Sequence, residues 1–240
     1  NGSYRPLCRI NDVRVYDHCL SKKEVKLLSQ GLVAHYKLDG GGANNLLTNT
    51  SNPTSTSGMP YNGMSIVYDE DMGANVFQRS TSTTSESYLS SHRISIEPST
   101  KYTFSCDIKV NEFTKKVDFH WLADTAAENK TGTGYVNAVS TNNKSFTPNV
   151  WHHFTWTFTS KADDRTGFIR IDNGGSTTTD QASIVRITNL KLEKGSKATG
   201  YGRAASEMNF SVADDCSGYN RNGTTSGTFT FDTDSPRYDT

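Results

Sequence analysis

The chain has 240 residues and a formal net charge of zero, with 25 basic and 25 acidic side chains. That balance argues against an electrostatic nucleic-acid binder, which carries a basic face, and the longest apolar runs are only a few residues, too short to span a membrane. The length allows one large or two modest domains with a sizeable core, and a composition rich in Ser, Thr, Asn and Gly suits short strands with many turns better than helices.

The sequence begins at Asn1 with no signal peptide in view, and it reads as a piece of a longer chain whose export is not legible from this end. Residues 8 to 30 read CRINDVRVYDHCLSKKEVKLLSQ. Val13 and Val15 alternate with Asp12 and Arg14, the period of a half-buried strand. Ser21 and Glu24 then form a capping box, and Val25 and Leu28 give a short apolar stripe, so a strand leads into a short helix that ends before Gly31. GLVAHYKLD, residues 31 to 39, predicts a second strand, and residues 43 to 60 form a loop anchored by Leu46 and Leu47.

From about 61 to 193 the chain is a series of predicted strands separated by turn chemistry. In KYTFSCDIKV, residues 101 to 110, Tyr102, Phe104, Cys106, Ile108 and Val110 share one face. Val117–Leu122 and 151–158, with Phe154, Trp156 and Phe158 in phase, follow. Phe168–Asp172 stops at Asn173-Gly174-Gly175, and residues 184 to 192 close the series. The predicted core is Tyr102, Phe104, Ile108, Phe154, Trp156, Phe158, Ile169 and Ile171, and the Trp residues 121, 151 and 156 are read as core rather than as sugar platforms. Many short strands at this spacing predict an all-β sandwich or jelly roll. Residues 214 to 240 hold a run of tight turns, Asn222-Gly223 among them, and one short strand at Thr228–Phe231.

INDVRVYDHCLSKKEV resembles the closing strand and short helix of laminin-G-like (concanavalin A-like) domains, and GLVAHYKLDG resembles the first strand of another such domain. In that family the first strand is soon followed by a D-x-S-G-x-x-x-x-G turn, which here is Asp215-Cys-Ser217-Gly218-Tyr-Asn-Arg-Asn-Gly223. The piece between resembles the jelly-roll carbohydrate-binding modules attached to glycan-degrading enzymes, through NNLLTNTS, STKYTFSCDIKV, NVWHHFTWTFT and IVRITNLKLEKGSKATGYG. The LEKGSKAT phrase with laminin-G-like flanks resembles tail-fibre and tail-tip proteins of phages and prophages of Gram-positive bacteria. These resemblances imply the following organisation: residues 1–30 end one laminin-G-like domain, 31–43 begin a second, 44–199 are an inserted jelly roll, and 200–240 resume the second, incomplete domain. They imply a non-catalytic segment of a phage or prophage tail protein, in the virion or extracellular, whose partners are a bacterial surface glycan and the other domains of the same chain, with a homotrimer as the assembly of a fibre. A module of a secreted bacterial glycan-degrading or adhesive protein, and a ligand-free spacer, remain the alternatives.

The chemistry points the same way. Concanavalin A-like glycosidases need clustered carboxylates spaced E-x-D-x-x-E, because acid and nucleophile must share a face a few ångströms apart. The densest acidic run, Tyr68-Asp69-Glu70-Asp71, reads as a loop-borne turn instead. Neither G-x-S-x-G nor HExxH occurs, and adjacent His152 and His153 point to opposite faces of a strand. Cys8, Cys19, Cys106 and Cys216 show no CxxC pair, which argues against zinc or thioredoxin-type chemistry; whether they pair is left open. No cofactor is assigned. The resemblance implies a structural calcium held by oxygens from both ends of the module, yet Glu193 stands alone there. For a glycan, alternation turns Ile169 and Ile171 inward and Arg170 and Asp172 outward, and burying Phe119 and Trp121 leaves His120 and Asp118 outside. Tyr135 and Asn137 in GTGYVNAV are assigned to the same face, so the candidate glycan-binding residues are His120, Tyr135, Asn137, Arg170 and Asp172.

Overall fold

The computed structural model describes residues 44–57, 59, 64–207, 212–213 and 223–224. The segments read as laminin-G-like, wholly before residue 44 and nearly all after 207, and Cys8, Cys19 and Cys216 lie outside the described residues.

Ten strands form two antiparallel sheets: β1 (Met64–Asp69), β2 (Ala74–Thr81), β3 (Ser87–Ser90), β4 (Ile94–Ser95), β5 (Lys101–Val110), β6 (Val117–Thr125), β7 (Asn137–Lys144), β8 (His152–Thr159), β9 (Asp164–Asn173) and β10 (Ser183–Lys194). The first sheet has the order β1-β2-β10-β5-β8, and the second runs β3-β9-β6-β7 with β4 also on β9. This is an all-β jelly-roll sandwich. A short pair, β11 (Val212–Ala213) and β12 (Gly223–Thr224), forms a separate two-stranded sheet. Helical structure among the described residues is a single 3-10 turn at Ala205–Glu207.

The core lies between the two sheets. Phe104, Ile108, Phe119, Trp121, Ile169, Ile171, Ile187 and Leu192 are almost wholly buried there, each on an alternate position of its strand. Aromatic stacking joins the sheets, with Phe119 of β6 4.0 Å from Phe154 of β8 and Trp121 5.4 Å from Phe158 between ring centroids. The predicted core therefore stands for Tyr102, Phe104, Ile108, Phe158, Ile169 and Ile171. Phe154 and Trp156 are a correction: they pack against the core only half-buried, because β8 is the edge strand of its sheet. Trp151 is not core either. Its indole N–H reaches Asp69 Oδ1 at 3.0 Å, and Lys109 Nζ stands 5.2 Å from its ring centroid. Gly167 is required by packing, since a Cβ there would sit 2.3 Å from Trp121 Cζ2. Cys106 is a buried free thiol, and burial pushes its pKa well up.

Asp69 corrects the loop-borne reading of the acidic run. It ends β1, is almost fully buried, and takes Lys109 at 2.6 Å and Arg186 at 2.9 Å, with the turn Glu70–Gly73 following it. Burial disfavours its charge, but the donors of Lys109, Trp151 and Arg186 outweigh that and lower its pKa to about 2.

The last strand changes phase. Val185 and Ile187 face the core, a bulge lies between Thr188 and Lys191, and Leu190 and Leu192 face the core beyond it. An extra residue in one strand reverses which parity points inward; here Asn189 takes the positive φ of 52°. At this bulge the two ends of the sandwich meet. Buried Asn45 donates to Leu190 O at 3.0 Å and accepts from Leu192 N at 3.1 Å, Leu46 N donates to Leu192 O at 2.8 Å, and Asn44 bridges Ala204. Glu207 accepts from Asn49 N at 2.6 Å, so this seam extends past residue 199.

Candidate functional site

In the second sheet Leu89, Phe119, Trp121, Ile169 and Ile171 fill the core side. The registers pair Tyr88 with Asp172, Ser90 with Arg170, Asp118 with Asp172, His120 with Arg170, Leu122 with Phe168, and Ser140 with His120. Directly opposed residues share a face, so these side chains lie together on the side away from the core. A sheet packed on one side is free to carry polar groups on the other, and this one does so across four strands.

Arg170 is the centre of that face. Its guanidinium grips Asp172 through two bonds, Nε to Oδ1 at 2.6 Å and Nη2 to Oδ2 at 2.8 Å, and reaches Glu86 Oε1 at 2.5 Å. The Tyr88 ring stacks on it with 4.0 Å between the guanidinium carbon and the ring centroid, a cation–π arrangement. His120 Nε2 lies 3.1 Å from Asp172 Oδ2, and its Nδ1 lies 2.6 Å from Ser140 Oγ. At the β6 end, Lys116 pairs with Asp118 at 2.7 Å, and Asn143 N donates to the same carboxylate.

The charges are fixed by these partners. Burial opposes ionisation of Asp172, but the His120 and Arg170 donors outweigh it and hold its pKa below the usual carboxylate range. Glu86 goes the other way: burial and the neighbouring Asp172 charge raise it. A raised and a lowered carboxyl side by side is an acid–base pattern. Here, however, Asp172 is buried, with both oxygens already accepting from Arg170, so it presents no free carboxylate to attack a glycosidic carbon. The arrangement orients donors and acceptors across the face.

The other end of the face is walled. Buried Asp124 accepts from Thr166 Oγ1 at 2.5 Å and pairs with Arg165 at 3.3 Å and Arg93 at 3.5 Å. Arg93 lies over the Phe168 ring and donates to the carbonyls of Gly132 and Gly134, while Arg165 holds Asn129. These contacts tie the 126–136 loop to the sheet, and Phe168 and Leu122 are buried there. Tyr135 follows Gly134 on that loop and is exposed.

Of the sequence-derived candidates, His120, Arg170 and Asp172 thus come together, and Tyr135 sits on the loop that bounds their face. Asn137 is a correction. It is one residue out of phase with Ala138 and Ser140, and it is bound to Asp164 Oδ1 at 2.7 Å and Asp163 Oδ1 at 2.9 Å, bracing the turn that also holds the Trp121 indole. Asp172 and Asp118 lie on the outward side as expected but are buried beneath their cations. Sequence reasoning missed Glu86, Tyr88 and Ser140. The signal for Tyr88 was the alternation in Ser87-Tyr-Leu-Ser90, where inward Leu89 turns the Tyr outward. Among the described residues no cluster of His, Cys, Asp and Glu suits a metal ion, and no helix is long and apolar enough to cross a membrane.

No protein-family model matches this chain, and no curated protein matches it. Solved structures resemble it at low identity. The enzymatically active domain of tailspike protein 4 of bacteriophage CBA120 is 12% identical with a TM-score of 0.46, over 63% of this chain and 22% of that one. A family 16 carbohydrate-binding module is 16% identical with a TM-score of 0.43, over 62% of this chain and 99% of that one. The CBM22-1 xylan-binding domain from Paenibacillus barcinonensis Xyn10C is 12% identical with a TM-score of 0.42, over 65% and 98%. The chain matches less than a quarter of the length of the tailspike structure, and no residue role is carried over from any of these proteins.

Proposed function

We propose that the sandwich is a non-catalytic glycan-binding module of a phage or prophage tail protein, and that its site is the outward face of β3, β9, β6 and β7. The observation that carries this reading is the Arg170–Asp172 pair, gripped by two bonds, stacked on Tyr88 and flanked by Glu86, just before β3, and by His120 and Ser140 on β6 and β7. Such a row offers fixed donors and acceptors to sugar hydroxyls, with aromatic surface beside them for the apolar face of a ring. The groups are already paired with one another, so little side-chain ordering remains to be done on binding.

The meeting of the module's ends at Asn45 and Leu192 supports insertion of the jelly roll between laminin-G-like pieces, because an inserted unit must enter and leave at one place; the seam contacts of Ala204 and Glu207 move its end from 199 to about 207. A homotrimeric fibre is part of the same proposal, since repeating a weak site raises avidity without any new contact. The same face serves a module of a secreted multi-domain bacterial protein equally well, and the parent chain distinguishes the two settings.

The test is calorimetric titration with host cell-wall polysaccharides of the wild type beside Arg170→Ala and Tyr135→Ala. Affinity in the millimolar to micromolar range, roughly 4–8 kcal/mol, is expected for the wild type. Loss in Arg170→Ala supports the site; binding unchanged in both variants places it elsewhere. No binding by a multivalent form to any host surface favours the ligand-free spacer.

A further inference from the structure

The jelly-roll resemblance implies a calcium ion held by oxygens from both ends of the module, and the place for it is the seam where those ends meet. The glutamates there do not fit that ion. Glu193, near the end of β10, is a buried acid of the seam. Its Oε1 accepts from Thr199 N at 2.8 Å. Its Oε2 accepts from Asn44 Nδ2 at 2.7 Å and Thr199 Oγ1 at 2.7 Å, and faces Lys191 Nζ at 3.2 Å. Both carboxylate oxygens are thus surrounded by donors, whereas a calcium shell is built from acceptors. The other seam acid, Glu207, is bonded to the backbone N–H groups of Asn49 and Ala204.

Lys191 is the unusual group. Its side chain has no solvent exposure, although lysine is almost never fully buried unless paired. Its amine has the partners a buried ammonium needs: Thr199 Oγ1 at 2.5 Å, Gly200 O at 2.9 Å and the Glu193 carboxylate. Thr199 and Gly200 belong to the segment leaving the sandwich, and Glu193 in turn holds Asn44 where the chain comes in. The bulge at Asn189 sets this up, because it turns Leu190 and Leu192 to the core and so places Lys191 and Glu193 together on the other side.

We propose that the Lys191 ammonium is the seam's own cation, and that this module closes its two ends without a divalent metal. One positive charge, covalently attached, neutralises Glu193 and gathers the oxygens of residues 199 and 200. The closure then does not depend on the calcium concentration around it.

The experiment is thermal unfolding of the full chain, dialysed and measured with a chelator and with millimolar calcium, for the wild type, Lys191→Met, Glu193→Gln and the double variant. The wild type is expected to melt at one temperature in both solutions. Methionine keeps the length of the lysine stem and removes its charge. Each single variant leaves one buried charge unpaired, so each is expected to lower Tm by roughly 6–20 °C. The double variant, with neither charge left alone, is expected to lose less than the two single losses combined. A wild type whose Tm falls on chelation or rises with calcium overturns the proposal, as does a Lys191→Met protein as stable as the wild type. Should the single variants fail to fold, the wild-type chelation arm and the double variant still decide.

Discussion

Asp69→Asn probes how the first sheet's outer face is held together. Asp69 is 1% exposed and accepts from Lys109, Arg186 and the Trp151 indole. Its carboxyl titrates at about 2 rather than 3.8, and a depression of that size corresponds to about 2 kcal/mol of folding stability at neutral pH. Asparagine keeps the shape but removes the charge. It leaves Lys109 and Arg186 as directly opposed cations on β5 and β10, with Asp71 as the remaining carboxylate on Lys109. We expect a loss of about 2–4 kcal/mol at pH 7, read as a fall in the urea midpoint by tryptophan fluorescence. The pH dependence follows from the sign of the shift. A depressed carboxyl stabilises the fold above its unfolded pKa and stops doing so as pH falls through its folded pKa. The gap between wild type and variant should therefore be full at about pH 5 and narrow toward pH 2, where the carboxyl is half protonated in the folded protein and almost wholly so in the unfolded chain. A gap that stays constant or widens between those pH values refutes the assignment.

Other outcomes follow from packing. Gly167→Ala drives a Cβ into the buried Trp121 ring and the Leu122 carbonyl, so it should cost about 1–3 kcal/mol in a urea titration; a neutral substitution would mean that the ring can retreat. Phe104→Ala should cost about 3–5 kcal/mol, and Trp156→Ala, on the edge strand and half-buried, distinctly less. Equal losses would contradict the edge placement of β8.

The strand alternation of β5 was legible because Tyr102, Phe104, Cys106, Ile108 and Val110 keep one phase over ten residues. Sequence could not show that β8 would be an edge strand, since strand order depends on pairings far apart in the chain, and so it overstated the burial of Phe154 and Trp156. It also missed β7, NAVSTNNK, whose polar residues carry no apolar period. The bulge in β10 was hidden because Ile184, Val185 and Ile187 can be read in either phase, and it takes the pairing with β5 to choose. For the site, alternation found the outward direction of His120, Arg170 and Asp172. Their mutual engagement was not legible, because Glu86 and Tyr88 lie more than eighty residues from Arg170 in the chain, and Ser140 sits on β7, a strand without an apolar period. Asn137 was misplaced by one residue of phase, a slip that carries a side chain to the opposite face. Lys191 shows the same limit: nothing local marks a lysine as buried when its pairing depends on how the chain folds back after β10.

The proposed glycan site occupies one face of the sandwich and not the other. The direct measurement compares two sets of variants on an array of bacterial cell-wall polysaccharides. Tyr88→Ala and Arg170→Ala alter the outward face of β3 and β9, while Lys109→Ala alters the outer face of the opposite sheet. We predict that the wild type and Lys109→Ala bind the same polysaccharide, and that Tyr88→Ala and Arg170→Ala lose it while remaining folded by circular dichroism. Loss confined to Lys109→Ala, or retention in all three variants, would contradict a site on the outward face of β3, β9, β6 and β7.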